Sequence, residues 1–176
     1  MGCGLYSARM KLSKFTIILA ALAVPFGASA AERLYLEAPV QFAPNALVMS
    51  RAKSECDIEK HLADDAEAGI NKRYGHVELA AKGQNVGNDK VVKLTIVALE
   101  GLGGGSWTGS KSMTVLAELK RGEDVLAAKV FTRASRGANI FAGTCSLFEN
   151  VTDALGSDIG KWLKRGAGAE PAAAAN

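Results

Sequence analysis

The chain has 176 residues, with 21 lysines and arginines against 18 aspartates and glutamates. Its basic excess lies in the first thirty residues, which contain Arg9, Lys11 and Lys14 and no acid, so their removal would leave 18 residues of each sign. Balanced charge of this kind excludes a general preference for nucleic acid or for an anionic membrane. The remainder is long enough for one domain with a hydrophobic core.

The amino-terminal segment has the three parts of a secretory signal peptide. After the bases comes an apolar run at residues 15–26 (FTIILAALAVPF), followed at residues 28–30 by small residues in the A-x-A pattern. About twelve apolar residues are too few to span the roughly 30 Å hydrocarbon core. We therefore predict that residues 1–30 are cleaved and that the protein is periplasmic without a stable membrane anchor, whether translation starts at Met1 or at Met10.

Two of the three cysteines, Cys56 and Cys145, remain after this cleavage. An even pair in an oxidising compartment predicts a disulfide bond, and the alternative is two separate buried thiols. The two histidines, His61 and His76, do not have ligand spacing to these cysteines. The sequence therefore predicts no metal site, and it predicts no cofactor.

The first half of the domain is expected to contain two short strands and one helix. Residues 33–38 (RLYLEA) and 76–81 (HVELAA) alternate as strands do, while Pro39 and Pro44 predict an irregular segment or an edge. Ser54 is the predicted N-cap of the helix. An apolar stripe recurs every four residues along it: Ile58, Leu62, Ala66 and Ile70.

The segment from Val91 to Arg133 is interpreted as three consecutive strands, because apolar and polar residues alternate along it. We expect the helices to cover the face that carries Leu94, Ile96, Val115 and Val130. The opposite face is then expected to carry Lys93, Thr95, Val97, Leu116, Lys129, Phe131 and Arg133. On that face Val97, Leu116 and Phe131 are predicted to cluster, and an apolar cluster rimmed by charge often marks an interface.

A second helix is predicted from Cys145, with Gly156 and Gly160 allowing close packing against the sheet. Its apolar face is formed by Phe148, Val151, Leu155, Ile159, Trp162 and Leu163. The order β-α-β-β-β-β-α predicts an α+β fold over residues 31–165, a two-layer sandwich of a mainly antiparallel sheet of about five strands with both helices on one face. Both cysteines would then lie in the first turn of a helix, which supports their pairing. The Ala/Gly-rich tail, residues 166–176, is predicted to be disordered.

The Gly-rich segment at residues 103–112 (GGGSWTGSKS) is not a phosphate-binding loop, because Ser110 separates the glycine from the lysine and a strand follows instead of a helix. Two interpretations remain. Either it is a flexible hairpin with Trp107 folded back onto the sheet, or Trp107 is an exposed aromatic anchor. In the second case Lys111, Arg133 and Arg136 would add a small anion-binding rim.

No pattern for a catalytic nucleophile with its base occurs in the sequence, so we expect a non-catalytic protein. Export, the order of elements and the closing segment GTCSLFENVTDALGSDIGKWL resemble small uncharacterised bacterial envelope proteins. From about Leu34 to Leu163 the architecture also resembles the amino-terminal domain of TolB and the penicillin-binding-protein activator LpoB, although the chain lacks the lipobox of LpoB. This resemblance implies a role in assisting envelope complexes and carries over no functional residues.

We therefore expect an exported periplasmic accessory or interaction protein of the bacterial envelope. Its partner would be another envelope protein or a second copy of the chain. The alternative is a periplasmic binder of a small ligand or envelope component through the Gly-rich Trp107 loop.

Overall fold

The computed structural model describes residues 33–101, 109–135 and 142–167, all within one compact unit. The elements in these ranges are β1 (Leu34–Ala38), β2 (Gln41–Val48), α1 (Ser50–Glu55), α2 (Ile58–Arg73), β3 (Glu78–Ala81), β4 (Lys90–Glu100), β5 (Ser112–Arg121), β6 (Asp124–Ala134) and α3 (Thr144–Lys164). The predicted α+β fold is confirmed. The predicted signal peptide lies outside the described residues, and no described helix is long and apolar enough to cross a membrane.

The sheet is mixed, with strand order β3-β1-β4-β5-β6, and β2 also pairs with β4. The antiparallel pairing of β4, β5 and β6 agrees with the prediction. By contrast, β1 and β2 both run parallel to β4, and β3 runs parallel to β1. Helices α1 and α2 form the crossover from β2 to β3, and parallel strands such as β1 and β3 need a connection of this kind.

Strand β2 is the element that the sequence did not predict. Pro44 lies in the stretch between Phe42 and Leu47 where the register with β4 shifts. Proline cannot donate a ladder hydrogen bond, so it is tolerated in a strand only at such an irregularity or at an edge. The two prolines therefore interrupt the pairing but do not prevent a strand.

The first predicted helix is two helices. Asp57 adopts a left-handed backbone conformation with φ of 44° between α1 and α2, and it is the N-cap of α2. Ser54 lies inside α1, where its hydroxyl donates to the carbonyl oxygen of Arg51 at 3.2 Å. The predicted N-cap is therefore wrong, but the predicted apolar stripe is buried as expected: Ile58, Leu62, Ala66 and Ile70.

The core lies between the helices and one face of the sheet. In β5 the alternate residues on the predicted core side are buried: Met113, Val115, Ala117 and Leu119. Strand β4 buries Val92, Leu94 and Ile96. The register then shifts between Ile96 and Ala98, so that Leu99 is buried and Val97 is exposed.

Helices α2 and α3 pack backbone against backbone. A Cβ atom placed on Gly156 would lie 2.2 Å from the carbonyl oxygen of Asp65, and one on Gly160 would lie 2.2 Å from that of Gly69. A Cβ atom placed on Gly69 would lie 2.1 Å from the carbonyl oxygen of Gly156. These glycines thus permit close packing, as predicted, but against α2 and not against the sheet.

The disulfide between Cys56 and Cys145 is present, with a Cα–Cα distance of 5.1 Å and a sequence separation of 89. Cys145 lies in the first turn of α3 as expected. Cys56 instead follows the last residue of α1, because the helix break occurs there. At the other end of α3, Ala167 is buried, and residues 168–176 of the predicted tail lie outside the described ranges.

Candidate functional site

The two faces of β6 are the reverse of the prediction. Phe131 pairs with Val115 and therefore lies on the helix side, packed against the core, whereas Val130 pairs with Leu116 on the open face. The register between β5 and β6 shifts between Leu119 and Lys120. A one-residue shift moves every side chain of a strand to the other face. Val130, at 56% exposure, thus takes the place expected for Phe131 beside Leu116.

This reversal creates a cavity of about 430 Å³ between β6 and α3, which we call the β6–α3 groove. Alternate residues of the strand line one side and successive turns of the helix line the other. Its lining residues are Lys129, Phe131, Arg133, Asp158, Lys161, Trp162, Arg165 and Gly166.

An aromatic pair forms the apolar part of the groove. The rings of Phe131 and Trp162 meet edge to face, with centroids 6.0 Å apart and planes inclined by 71°. Trp162 is only 7% exposed, and its buried Nε1 has no hydrogen-bond partner among the described residues. A buried donor without a partner is costly, and the indole N–H of a buried tryptophan usually finds one.

A carboxylate and two bases join the strand to the helix. Nε of Arg133 donates a hydrogen bond to Oδ2 of Asp158, and Nη2 of the same guanidinium forms an ion pair with that oxygen. Nζ of Lys161 donates to Oδ1 at 3.1 Å. Burial of this carboxyl opposes its ionisation, but the two donors and their positive charges outweigh that effect and lower the pKa of Asp158. Asp158 is therefore an ionised structural partner.

Basic side chains predominate in the described lining of the groove. Four of these residues are basic and one is a carboxylate, which is already engaged by two of the bases. Arg165 lies at the exposed end of the groove. Arginine suits this position because its planar fork can bind a carboxylate or a phosphate through two hydrogen bonds.

The chemistry of the groove follows from the side chains in its lining. Among the described residues that line it, none is a serine, a cysteine or a histidine. Both oxygens of Asp158 are occupied by hydrogen bonds. Nor do the described residues contain a group of three acidic, histidine or cysteine side chains that could hold a metal ion.

A second hollow, of about 400 Å³, is a weaker candidate. It lies near the other end of the sheet between β3, β5 and the segment 83–87. Glu37 and Glu123 oppose Lys93 and Lys120 in its lining, and none of the described residues that line it is aromatic. It thus has neither a net charge nor an apolar floor to select a ligand.

Of the remaining predicted site residues the structure describes Lys111, which does not line the groove. Lys111 is fully buried and not a surface base; its Nζ donates to the carbonyl oxygen of Gly109 at 3.1 Å, and burial lowers its pKa. Its backbone amide donates to the hydroxyl of Ser135 at 2.9 Å, so it ties the start of β5 to the end of β6. Trp107 and Arg136 lie outside the described residues.

Sequence reasoning selected Phe131 and Arg133, which the fold brings together, but it missed their partners on α3. Lys161 and Arg165 resemble ordinary bases at the carboxyl end of a helix, where they complement the helix dipole. A usable signal was Trp162 at the end of an apolar stripe with a base on either side of it, at Lys161 and Lys164.

No family model matches the chain, and a comparison with curated proteins finds no relative. Among solved structures it resembles a DUF330-family protein from Xanthomonas campestris, with 15% identity, 76% of this chain and 84% of that chain covered, and a TM-score of 0.48. It also resembles PelC from Paraburkholderia phytofirmans, solved as a dodecamer, with 13% identity, coverages of 73% and 86%, and a TM-score of 0.48. A minor lipoprotein from Acinetobacter baumannii gives 14% identity, coverages of 76% and 93%, and a TM-score of 0.44.

At these sequence identities and TM-scores, the structural similarities do not bear on the groove. The resemblance to TolB and LpoB is not shown by them and stays a prediction.

Proposed function

We propose that the chain is an exported, non-catalytic accessory protein of the bacterial envelope that binds an anionic partner through the β6–α3 groove. The observation that carries this proposal is the placement of four basic side chains around the aromatic pair Phe131 and Trp162, where the described lining contains one carboxylate, already engaged by two of the bases. Charge of one sign in a concave site attracts and orients a ligand of the other sign.

The periplasmic part of the proposal rests on two independent features. Residues 1–30 have the composition of a cleavable signal peptide. The bond between Cys56 and Cys145 is of a kind that persists in oxidising compartments and is rare in the cytosol.

A charge reversal at the exposed end of the groove tests the proposal. Arg165→Glu introduces a negative charge where the partner's anionic group would bind, and it removes no core contact because Arg165 is exposed. Lys164→Glu is the matched control, since it makes the same change at the exposed neighbouring position that does not line the groove. Each immobilised variant of residues 31–176 is incubated with envelope extract, and bound proteins are quantified by mass spectrometry.

We expect at least one protein that is retained by the wild type and by Lys164→Glu but bound roughly tenfold less by Arg165→Glu. Its retention should also fall with added salt, because exposed charge pairs are screened. The same set of proteins on all three baits would show that the groove does not select the partner.

A further inference from the structure

The groove opens beside a long strand edge. Strand β6 has eleven residues, from Asp124 to Ala134, and is last in the strand order. On its outer side it meets no other strand among the described residues. Such an edge presents backbone N–H and C=O groups on which another strand can pair.

We propose that the anionic partner binds as an extended acidic polypeptide segment, which adds to β6 as a further strand along the β6–α3 groove. This inference rests on the proposed function and specifies its ligand. In recognition of this kind, backbone hydrogen bonds provide affinity and the pockets for alternate side chains provide specificity.

The alternation of β6 matches this mode of binding. Lys129, Phe131 and Arg133 pair with core-facing residues of β5, so they all point to the helix side and line the groove. A strand added at the usual spacing of about 4.8 Å would place every second side chain on this same side. Those side chains would meet the bases of β6 and, across the groove, Lys161 and Arg165 of the α3 end.

The other side chains of the added strand would extend the open face of the sheet. There β6 exposes Val130, at 56%, and Val125, at 42%. Adjacent apolar or β-branched side chains on neighbouring strands stabilise each other by cross-strand contact. The segment that fits therefore alternates acidic residues, facing the groove, with apolar residues, facing out.

A second copy of β6 fits this edge poorly. Pairing two such strands would bring the side chains of Lys129 and Arg133 close to their own counterparts, and like charges on adjacent strands are destabilising. Inward-pointing charges at a sheet edge are a known protection against self-pairing. Here the same charges favour an acidic strand.

A synthetic peptide of about seven residues, within the ordinary length of a strand, is the probe. It alternates glutamate with valine and is blocked at both ends, and its binding to residues 31–176 is measured by fluorescence anisotropy. We expect saturable binding that salt weakens, that Arg165→Glu reduces about tenfold and that Lys164→Glu leaves within about twofold. A peptide that alternates lysine with valine is the control and should not bind.

Backbone methylation separates strand addition from simple charge attraction. In an added strand, alternate N–H groups point toward β6 and the others point away. Two versions of the peptide are therefore N-methylated, one at the glutamates and the other at the valines. We expect one version to bind at least about tenfold more weakly and the other to bind within about twofold of the parent.

The remaining outcomes overturn the inference in distinguishable ways. If both methylated peptides bind like the parent, or both lose binding equally, strand addition is wrong, and a dependence on Arg165 would still support an anion-binding groove. If the peptide does not bind but Arg165→Glu still loses a partner protein from envelope extract, only the ligand class is wrong. If the peptide does not bind and Arg165→Glu loses no partner protein, the proposed function fails as well. A dimer of the protein that the peptide dissociates would assign the β6 edge to a second copy of the chain. Binding of the peptide only after deletion of residues 168–176 would assign the edge to the chain's own tail.

Discussion

At the residue scale, two carboxylates on or beside α3 are in opposite electrostatic situations. Asp158 is held by Arg133 and Lys161, and the pKa of its carboxyl is lowered. Asp65 lies on α2 where it faces α3; burial raises its pKa, and the hydrogen bond with Thr152 only partly offsets this. The charge of Asp158 therefore stabilises the fold, and the charge of Asp65 destabilises it. Substitution of either residue is thus a control for substitution of the other.

We predict that Asp158→Asn lowers the free energy of unfolding at neutral pH by about 1 kcal/mol, the upper end for a partly exposed ion pair. A carboxyl whose pKa is lower in the folded state contributes stability above its unfolded pKa, near 3.8, and loses it as the pH falls through the folded value. The destabilisation should therefore shrink as the pH is lowered from 7 to below 3.8. Urea unfolding of both proteins at each pH measures it.

Asp65→Asn, in the same experiment, should change stability with the opposite sign. Its pKa is raised in the folded state, so the charged form costs stability once the pH rises through the folded value. The substitution should raise the unfolding free energy at neutral pH and have little effect below the unfolded pKa. A loss of stability at neutral pH in both variants would contradict this electrostatic account.

At the element scale, contact between the backbones of α2 and α3 sets the position of α3. Gly69, Gly156 and Gly160 leave no space for a Cβ atom at the crossing. The close approach lets α3 place Phe148, Leu155 and Ile159 in the core while its carboxyl-terminal half lies over β6. The shape of the groove thus depends on residues that do not line it.

We predict that Gly156→Ala destabilises the domain by about 3 kcal/mol, because the added methyl would overlap the backbone of Asp65 and the helices would have to separate. In an open helix the same substitution is stabilising by about 1 kcal/mol, so the sign is diagnostic. Thermal unfolding followed by circular dichroism measures the change.

Asn150→Ala provides the comparison on the same helix, since Asn150 is exposed and its side chain bonds only within α3. It should leave stability within about 0.5 kcal/mol of the wild type. Equal effects of the two substitutions would mean that the helix crossing is not tight at Gly156.

At the scale of the whole molecule, one covalent bond links two distant parts of the chain. The disulfide joins the α1–α2 junction to the start of α3 across 89 residues of sequence. It thereby holds the last helix, and with it one wall of the groove, to the first half of the domain.

Replacement of both Cys56 and Cys145 by serine is expected to lower the unfolding free energy by about 3 kcal/mol, within the range found for small secreted domains. A reducing agent should destabilise the wild type by a similar amount and leave the double variant unchanged. If reduction does not affect the wild type, the bond does not form in the protein as it is produced.

Local patterns in the sequence determined much of this architecture. Alternation along β4 and β5 and the stripes of α2 and α3 identified most of the buried residues, because the periods of strands and helices are properties of short segments. The even number of cysteines after export indicated the disulfide. Phe131 and Arg133 were also selected from the sequence, although for the wrong face of the sheet.

Only the tertiary structure decided which side of β6 faces the helices, what the glycines of α3 pack against and which bases share a groove. The shift between Leu119 and Lys120 reverses β6, and the alternation of that strand alone is ambiguous because each phase mixes apolar with other residues. Gly156 meets α2 because the two helices cross there, and Arg165 lines the same groove as β6 only through the position of α3. These are distances between segments far apart in the chain, and no local pattern encodes them, because periodicity specifies a face and not its neighbour.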